Sequence, residues 1–190
     1  MQVLRAADRK GTPWKNRGGV TREVCAWPPG AGFDDFQWRV SMAEVRADGP
    51  FSAFPGVDRI LAVLEGRLAL DIEGHATIEL SAASPPAAFP GDAPTVGRVL
   101  AGPVTDLNVM SRRGAVRADL TSLEIRPRLT LAPTTGTRLV VARGRLRVTA
   151  PQAVDLLPDD ALLLTDADPP VTLEAPEGAP AWLAAFTGLR

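Results

Sequence analysis

The sequence predicts an all-β chain folded as two fused barrels, and three features predict it. Glycine and proline, 17 and 18 of the 190 residues, recur along the whole length and cut the chain into short pieces. The pieces between them alternate apolar with polar residues or run β-branched, the pattern of short antiparallel strands joined by turns. No stretch of ten or more residues carries an apolar 3.6-residue period, so helices are not expected.

Taken in order, the first strands are expected at Val20 to Trp27 and Gln37 to Val45. Arg59 to Leu64 and Arg67 to Ile72 flank Gly66 and read as a tight hairpin, with glycine supplying the positive φ of the turn. His75 to Leu80, Arg98 to Ala101 and Thr105 to Ser111 follow. The second half continues with Ala115 to Ile125, Thr137 to Ala142, Arg145 to Thr149, Ala161 to Thr165, Val171 to Leu173 and Ala181 to Thr187. Arg59 to Leu70 and Thr137 to Val148 resemble each other: an apolar strand, a charged residue and Gly, then Arg-Leu and an alternating strand. A Pro-Asp turn follows each, Phe89-Pro-Gly-Asp92 and Leu157-Pro-Asp-Asp160. The repetition predicts a duplicated barrel joined near Arg112 to Asp119. Residues 1–113 would form the barrel that holds a ligand, and 114–190 a degenerate second copy.

Composition narrows the function. The formal net charge is −1, with 21 basic against 22 acidic residues, too even to recruit nucleic acid or an anionic membrane at long range. Cys25 is the single cysteine, which excludes an internal disulfide and fits a reducing compartment. The first residues lack the layout of a signal peptide, and no apolar run reaches the roughly 20 residues of a membrane helix, so a cytoplasmic protein is expected. His75 is the only histidine, which limits metal and acid–base chemistry. Of the 21 basic residues two are lysines, Lys10 and Lys15, leaving nineteen arginines.

The alternation of side chains along strands nominates a site. Arg39, Ser41 and Ala43 share one face, opposite Trp38, Val40, Met42 and Glu44; the large apolar face is the natural core. The small polar face suits either solvent or the mouth of a ligand-holding barrel. Asp106 and Asn108 sit on one face of an otherwise apolar strand. Thr21 and Glu23 share a face of an emerging strand, with Arg22 on the other. Lys15 and Asn16 stand in a loop between Pro13 and Gly18-Gly19, where an ammonium and an amide can reach a carboxylate or carbonyl. Arg59 reads either as half of a salt bridge or as a bidentate carboxylate clamp, with Arg112 in reserve. Phe51 and Phe54 read as an apolar plug over a barrel end. Cys25 reads as inert core.

Two resemblances add to this. Strand–Gly–strand followed by Pro-Gly-Asp resembles the cupin superfamily, whose members usually hold a metal with histidines and a glutamate. The matching stretches here offer Asp58, Arg59, Glu65 and Asp92 with His75 alone, so a barrel without metal or other cofactor is expected. Thr12-Pro-Trp-Lys-Asn16, Gly18 to Val24, Phe36 to Val45, Asp48 to Arg59, Pro90 to Pro94 and Gly102 to Arg113 resemble the HutD/Ves family. Arg17 departs from it, standing where a further glycine is usual. The resemblance implies a bicupin fold, an association with histidine breakdown or stress response, and a ligand-binding role proposed to involve formylated or formimino-glutamate. It also favours Arg39, Ser41 and Asn108 as pocket residues.

The leading expectation is a binding or regulatory protein for a small carboxylate-bearing metabolite. Lys15, Asn16, Thr21, Arg39, Ser41 and Asn108 would converge in the first barrel, with Glu44 or Arg59 near the rim. The alternative is a metal-independent isomerase or hydrolase, with Glu23 or Glu44 as general base and Lys15 or Arg39 stabilising developing negative charge. A third reading is a structural or protein-interaction module with its polar residues scattered over the outside. A second copy of the chain, as a homodimer, is a further candidate partner.

Overall fold

Strands make up nearly all the regular structure in the computed structural model, which describes residues 1–14 and 17–188. In chain order they are β1 (Gln2–Leu4), β2 (Gly11–Pro13), β3 (Gly19–Trp27), β4 (Trp38–Val45), β5 (Gly49–Pro50) and β6 (Val57–Ile72). Next come β7 (Ile78–Ser81), β8 (Ala87–Pro90), β9 (Thr95–Arg112), β10 (Val116–Ile125), β11 (Arg128–Leu131) and β12 (Thr137–Ala142). The last are β13 (Leu146–Ala150), β14 (Val154–Leu156), β15 (Ala161–Leu164), β16 (Val171–Glu174) and β17 (Ala179–Gly188). The one helical element among the described residues is a 3-10 turn at Ala6–Asp8.

The chain divides into two compact units, Arg9–Arg117 and Met1–Asp8 with Ala118–Gly188. In the first, the sheet runs β2-β3-β4-β9-β6-β7, with β5 also on β9 and β8 also on β6. Leu61, Val63, Leu68, Leu70, Ile72, Phe89 and Val104 form its apolar core. The second unit has a five-stranded sheet, β1-β15-β12-β17-β10, and a four-stranded one, β11-β16-β13-β14. Its core gathers Leu146, Leu156, Leu162, Leu164, Val171 and Leu173 with Ile125 and Val140. Residues 1–8, which a cut at 113/114 leaves with the N-terminal half, add an edge strand here, Gln2 against Leu163 and Leu4 against Ala161. Asp160 secures that strap by accepting hydrogen bonds from the Ala6 N–H at 2.8 Å and from Arg5 at 2.7 Å.

The hairpin expected at Gly66 is not one. β6 runs through Gly66 as a single strand and stays paired with β9 from Val57 opposite Arg112 to Ile72 opposite Thr95, with register shifts around Glu65 and Arg67. A reversal needs turn residues released from the ladder, and Glu65 and Arg67 both remain in it. Gly66, at φ +78°, bends the strand instead. The corresponding Gly144 lies between β12 and β13, which belong to different sheets, so that motif too carries a change of direction without a hairpin. His75 lies in a turn ahead of β7, and β7 begins at Ile78.

A Cβ on residue 66 would stand 2.7 Å from the carbonyl oxygens of both Ala101 and Pro103. Gly66→Ala therefore meets backbone on top of a left-handed φ, which alone costs about 1–3 kcal/mol. A clear fall in the thermal unfolding midpoint is expected, and an unchanged midpoint would contradict the role given to the bend.

Candidate functional site

The polar alternation on β4 points into the first unit. Every residue from Trp38 to Ala43 is buried, so both faces of this strand are interior. Register then sets the neighbours: Ser41 lies opposite Asn108 on β9 and Glu23 on β3, and Ala43 opposite Asp106 and Thr21. On the other side of β9, Arg59 of β6 faces Met110, Leu61 faces Asn108 and Val63 faces Asp106. Directly paired residues share a face, so Arg39, Ser41, Arg59, Asp106, Asn108, Thr21 and Glu23 all look onto the side that carries Leu61, Val63 and Phe89.

The two arginines are held differently. The Nε of Arg39 donates to Glu23 at 2.7 Å and its guanidinium donates to the Ser41 hydroxyl at 3.2 Å, while the Phe33 ring lies 5.0 Å from the charge. Arg59 is only 4% exposed. Its guanidinium contacts the Asn108 Oδ1 at 3.4 Å and the Ser52 carbonyl at 3.5 Å, both long. Three rings surround it, with centroids at 4.9 Å for Phe51, 5.2 Å for Phe89 and 5.9 Å for Phe54. Among the described residues no carboxylate reaches ion-pair distance of Arg59. Burial pushes its pKa down to about 10, partly opposed by Asp106 and reinforced by the positive charge of Arg39.

Asp106 is the buried acid of the cluster, 2% exposed. Burial pushes its carboxyl up to about 7, against the pull of Arg59 and of a hydrogen bond from the Ala43 backbone. Its Oδ1 has no hydrogen-bond partner among the described residues. Two loops pack on the cluster through Phe33, beside Arg39, and Phe54, beside Arg59. Arg112 donates to the carbonyls of Asp34 at 3.1 Å and Pro55 at 3.3 Å, and Arg113 binds Asp58 at 2.8 Å and Asp92 at 2.9 Å. These bonds fix the segments that bear Phe33, Phe36 and Phe54, where the Phe54 ring packs on those of Phe33 and Phe36. Arg112 and Arg113 are therefore structural, and Asp58 is held in a salt bridge to Arg113.

Of the residues nominated from sequence, Arg39, Ser41, Arg59 and Asn108 come together. Thr21 shares their face and accepts the Trp14 indole N–H at 2.8 Å. Arg59 sits inside the cluster, not at a rim. Glu44 does not join it: one residue on from Ala43, it projects from the opposite face and pairs with Arg22 at 2.7 Å and Arg46 at 2.8 Å, which lower its pKa. Lys15 and Asn16 lie outside the described residues. Asp106, which the sequence places on the face of Asn108 but not among the converging residues, joins the cluster, and Phe51 and Phe54 lie against Arg59. Cys25, on the other face after a bulge in β3, has its thiol pushed up to about 11 by burial and by Glu23, so it is no nucleophile at neutral pH. Among the described residues no three His, Cys, Asp or Glu side chains gather as a metal site.

Because the folded value of Asp106 lies above the ordinary one near 3.9, the folded protein holds a proton that the unfolded chain releases. Its contribution is complete only in acid and is lost as pH rises toward about 7. Asp106→Asn is expected to raise the unfolding midpoint at pH 8 more than at pH 4.5. Equal shifts at both pH values would contradict the buried, protonated carboxyl.

Known proteins share this framework. Protein Ves of Citrobacter koseri is 38% identical over 107 residues, 55% of this chain and 54% of that protein. An uncharacterized 21.2 kDa protein in the hutC 3′ region of Pseudomonas putida is 36% identical over 121 residues, 63% of each chain. The matches thus span less than two thirds of these relatives. Among solved structures, a conserved protein of unknown function from Pseudomonas aeruginosa PAO1 superposes with TM-score 0.88 and 31% identity over 97% of both chains. HutD from Pseudomonas fluorescens SBW25, solved in a formate condition, gives 0.84 and 27%, covering 100% of this chain and 99% of that one. A cupin 2 conserved barrel domain protein from Leptotrichia buccalis, at 0.64 and 11% over 97% and 100%, shows the fold to be cupin-like. The HutD family model matches residues 6–182, and the chain belongs to the HutD family.

Proposed function

We propose that the Arg9–Arg117 unit binds a small carboxylate-bearing metabolite, such as formylglutamate or formiminoglutamate, in a regulatory role linked to histidine utilisation. The observation that carries this reading is Arg59: a buried guanidinium with no carboxylate in ion-pair distance among the described residues, walled by aromatic rings. Such a charge is costly to keep out of water unless an anion meets it. A ligand carboxylate would supply that anion, with Ser41, Asn108 and Arg39 orienting the rest of the molecule. The names of the relatives, HutD and a hutC-region protein, support the link to histidine utilisation. The reading takes this unit as a cupin-like barrel around the cluster, residues 118–188 as its degenerate counterpart, and the cytoplasm as its location.

A metal-independent enzyme acting on the same acid is the second reading. Glu44 faces away and Glu23 is tied to Arg39, which removes its two candidate bases, but Asp106 is a buried carboxyl held near neutrality.

Calorimetric titration with N-formylglutamate and with formate tests the site. Arg59→Met keeps an apolar side chain among the three rings and removes the charge, so folding is expected to survive. Loss of a charge-assisted hydrogen bond costs on the order of 1.5–3 kcal/mol, so affinity is expected to drop about tenfold to a hundredfold. Equal binding by the wild type and Arg59→Met would remove Arg59 from the site.

A further inference from the structure

Asp106 presents an unusual chemical situation even before a ligand is considered. It lies within the sheet interior, near enough to the Ala43 backbone for that dipole to lower its pKa, and its Oδ1 has no hydrogen-bond partner among the described residues. Buried polar atoms are nearly always hydrogen-bonded, and an exception calls for a reason. The groups that face it are few. From β6 comes Arg59, with Val63 directly beside Asp106 in register; from β4 come Arg39 and Ser41, with Ala43 beside it; from β3 come Thr21 and Glu23; β8 contributes the Phe89 ring. Arg39 is committed to Glu23, so Arg59 is the cation nearest in role to Asp106.

An acid bound on Arg59 arrives as a second negative charge on this face. Two carboxylates then compete for one cation in a desolvated setting, and like charges so placed favour protonation of one of them. The protein carboxyl is the one already biased toward its neutral form by burial. Once protonated, it has an O–H to donate, and no acceptor is in place at Oδ1 among the described residues.

Resting on the acid-binding reading above, we propose that Asp106 is the second contact of the bound acid: it takes a proton from solvent as the acid binds Arg59 and donates it from Oδ1 to a ligand oxygen. No covalent bond is made or broken; one proton passes from water to the carboxyl for each acid bound. The site so built selects an anion that also offers an oxygen acceptor beside its carboxylate-binding end. It also makes affinity depend on pH, because ionised Asp106 competes with the ligand for Arg59.

Calorimetry with N-formylglutamate and with formate, run in buffers of different ionisation enthalpy from pH 6 to pH 8.5, reads this directly. The wild type is expected to take up close to a full proton per acid at pH 8 and to lose about tenfold in affinity between pH 6 and pH 8. Asp106→Asn keeps a hydrogen-bond donor but cannot titrate. It is expected to bind with a flat pH profile near the wild-type affinity at pH 6 and with no proton uptake. Wild-type binding that depends on Arg59 but is flat with pH and free of proton uptake would overturn the role of Asp106 and leave the acid site standing. Absence of binding by either probe at any pH would overturn both.

Discussion

A guanidinium removed from water, with no carboxylate at ion-pair distance among the described residues, is the constraint around which the N-terminal unit is organised. Arg59 is placed on β6 between paired strands, where its own alternation turns it inward beside Leu61 and Val63. The protein offsets part of the desolvation with dipoles and aromatic faces: Asn108, the Ser52 carbonyl and the rings of Phe51, Phe54 and Phe89. Those rings depend in turn on loops pinned by Arg112 and Arg113. The outer ion pairs at Asp58 and Asp92 are exposed and individually weak, but they fix where the loops that carry the aromatic side chains begin and end.

The cluster divides its charges into two kinds. Arg39 has a counter-ion in Glu23 and works as a fixed donor toward Ser41. Arg59 and Asp106 are both deeply buried, feel each other, and are each shifted toward the neutral form. The Cys25 thiol is raised by burial and stays on the opposite face, and the Ser41 hydroxyl is engaged by Arg39. On the proposed reading, a small acid would meet Arg59, Asp106, Ser41 and Asn108, the polar groups that register brings to one inner face.

The fold class was legible because short alternating runs between glycines and prolines admit few other readings. That Arg39, Ser41 and Asn108 lie together was legible where strand alternation could be combined with a family resemblance. Two things escaped. Gly66 reads in sequence as a hairpin, because a single glycine between two apolar runs gives no sign that the flanking residues stay paired to a third strand, β9, some forty residues away in the chain. Glu44 was nominated together with residues of the opposite face, although alternation from Arg39 already separates them. Asp106 was visible as a polar residue on an apolar strand, but its isolation from hydrogen-bond partners is a property of packing that no local pattern carries. Short edge strands such as β1 and β8 have too few residues to show any period.

The central claim, that Arg59 waits for an anion, is tested most directly by a crystal structure of the protein soaked or grown with N-formylglutamate. Electron density for the acid is expected on the inner face of β6, β9 and β4, with a carboxylate in a two-pronged contact with the Arg59 guanidinium among Phe51, Phe54 and Phe89. Density for the acid elsewhere, with the Arg59 surroundings unchanged, would contradict the account.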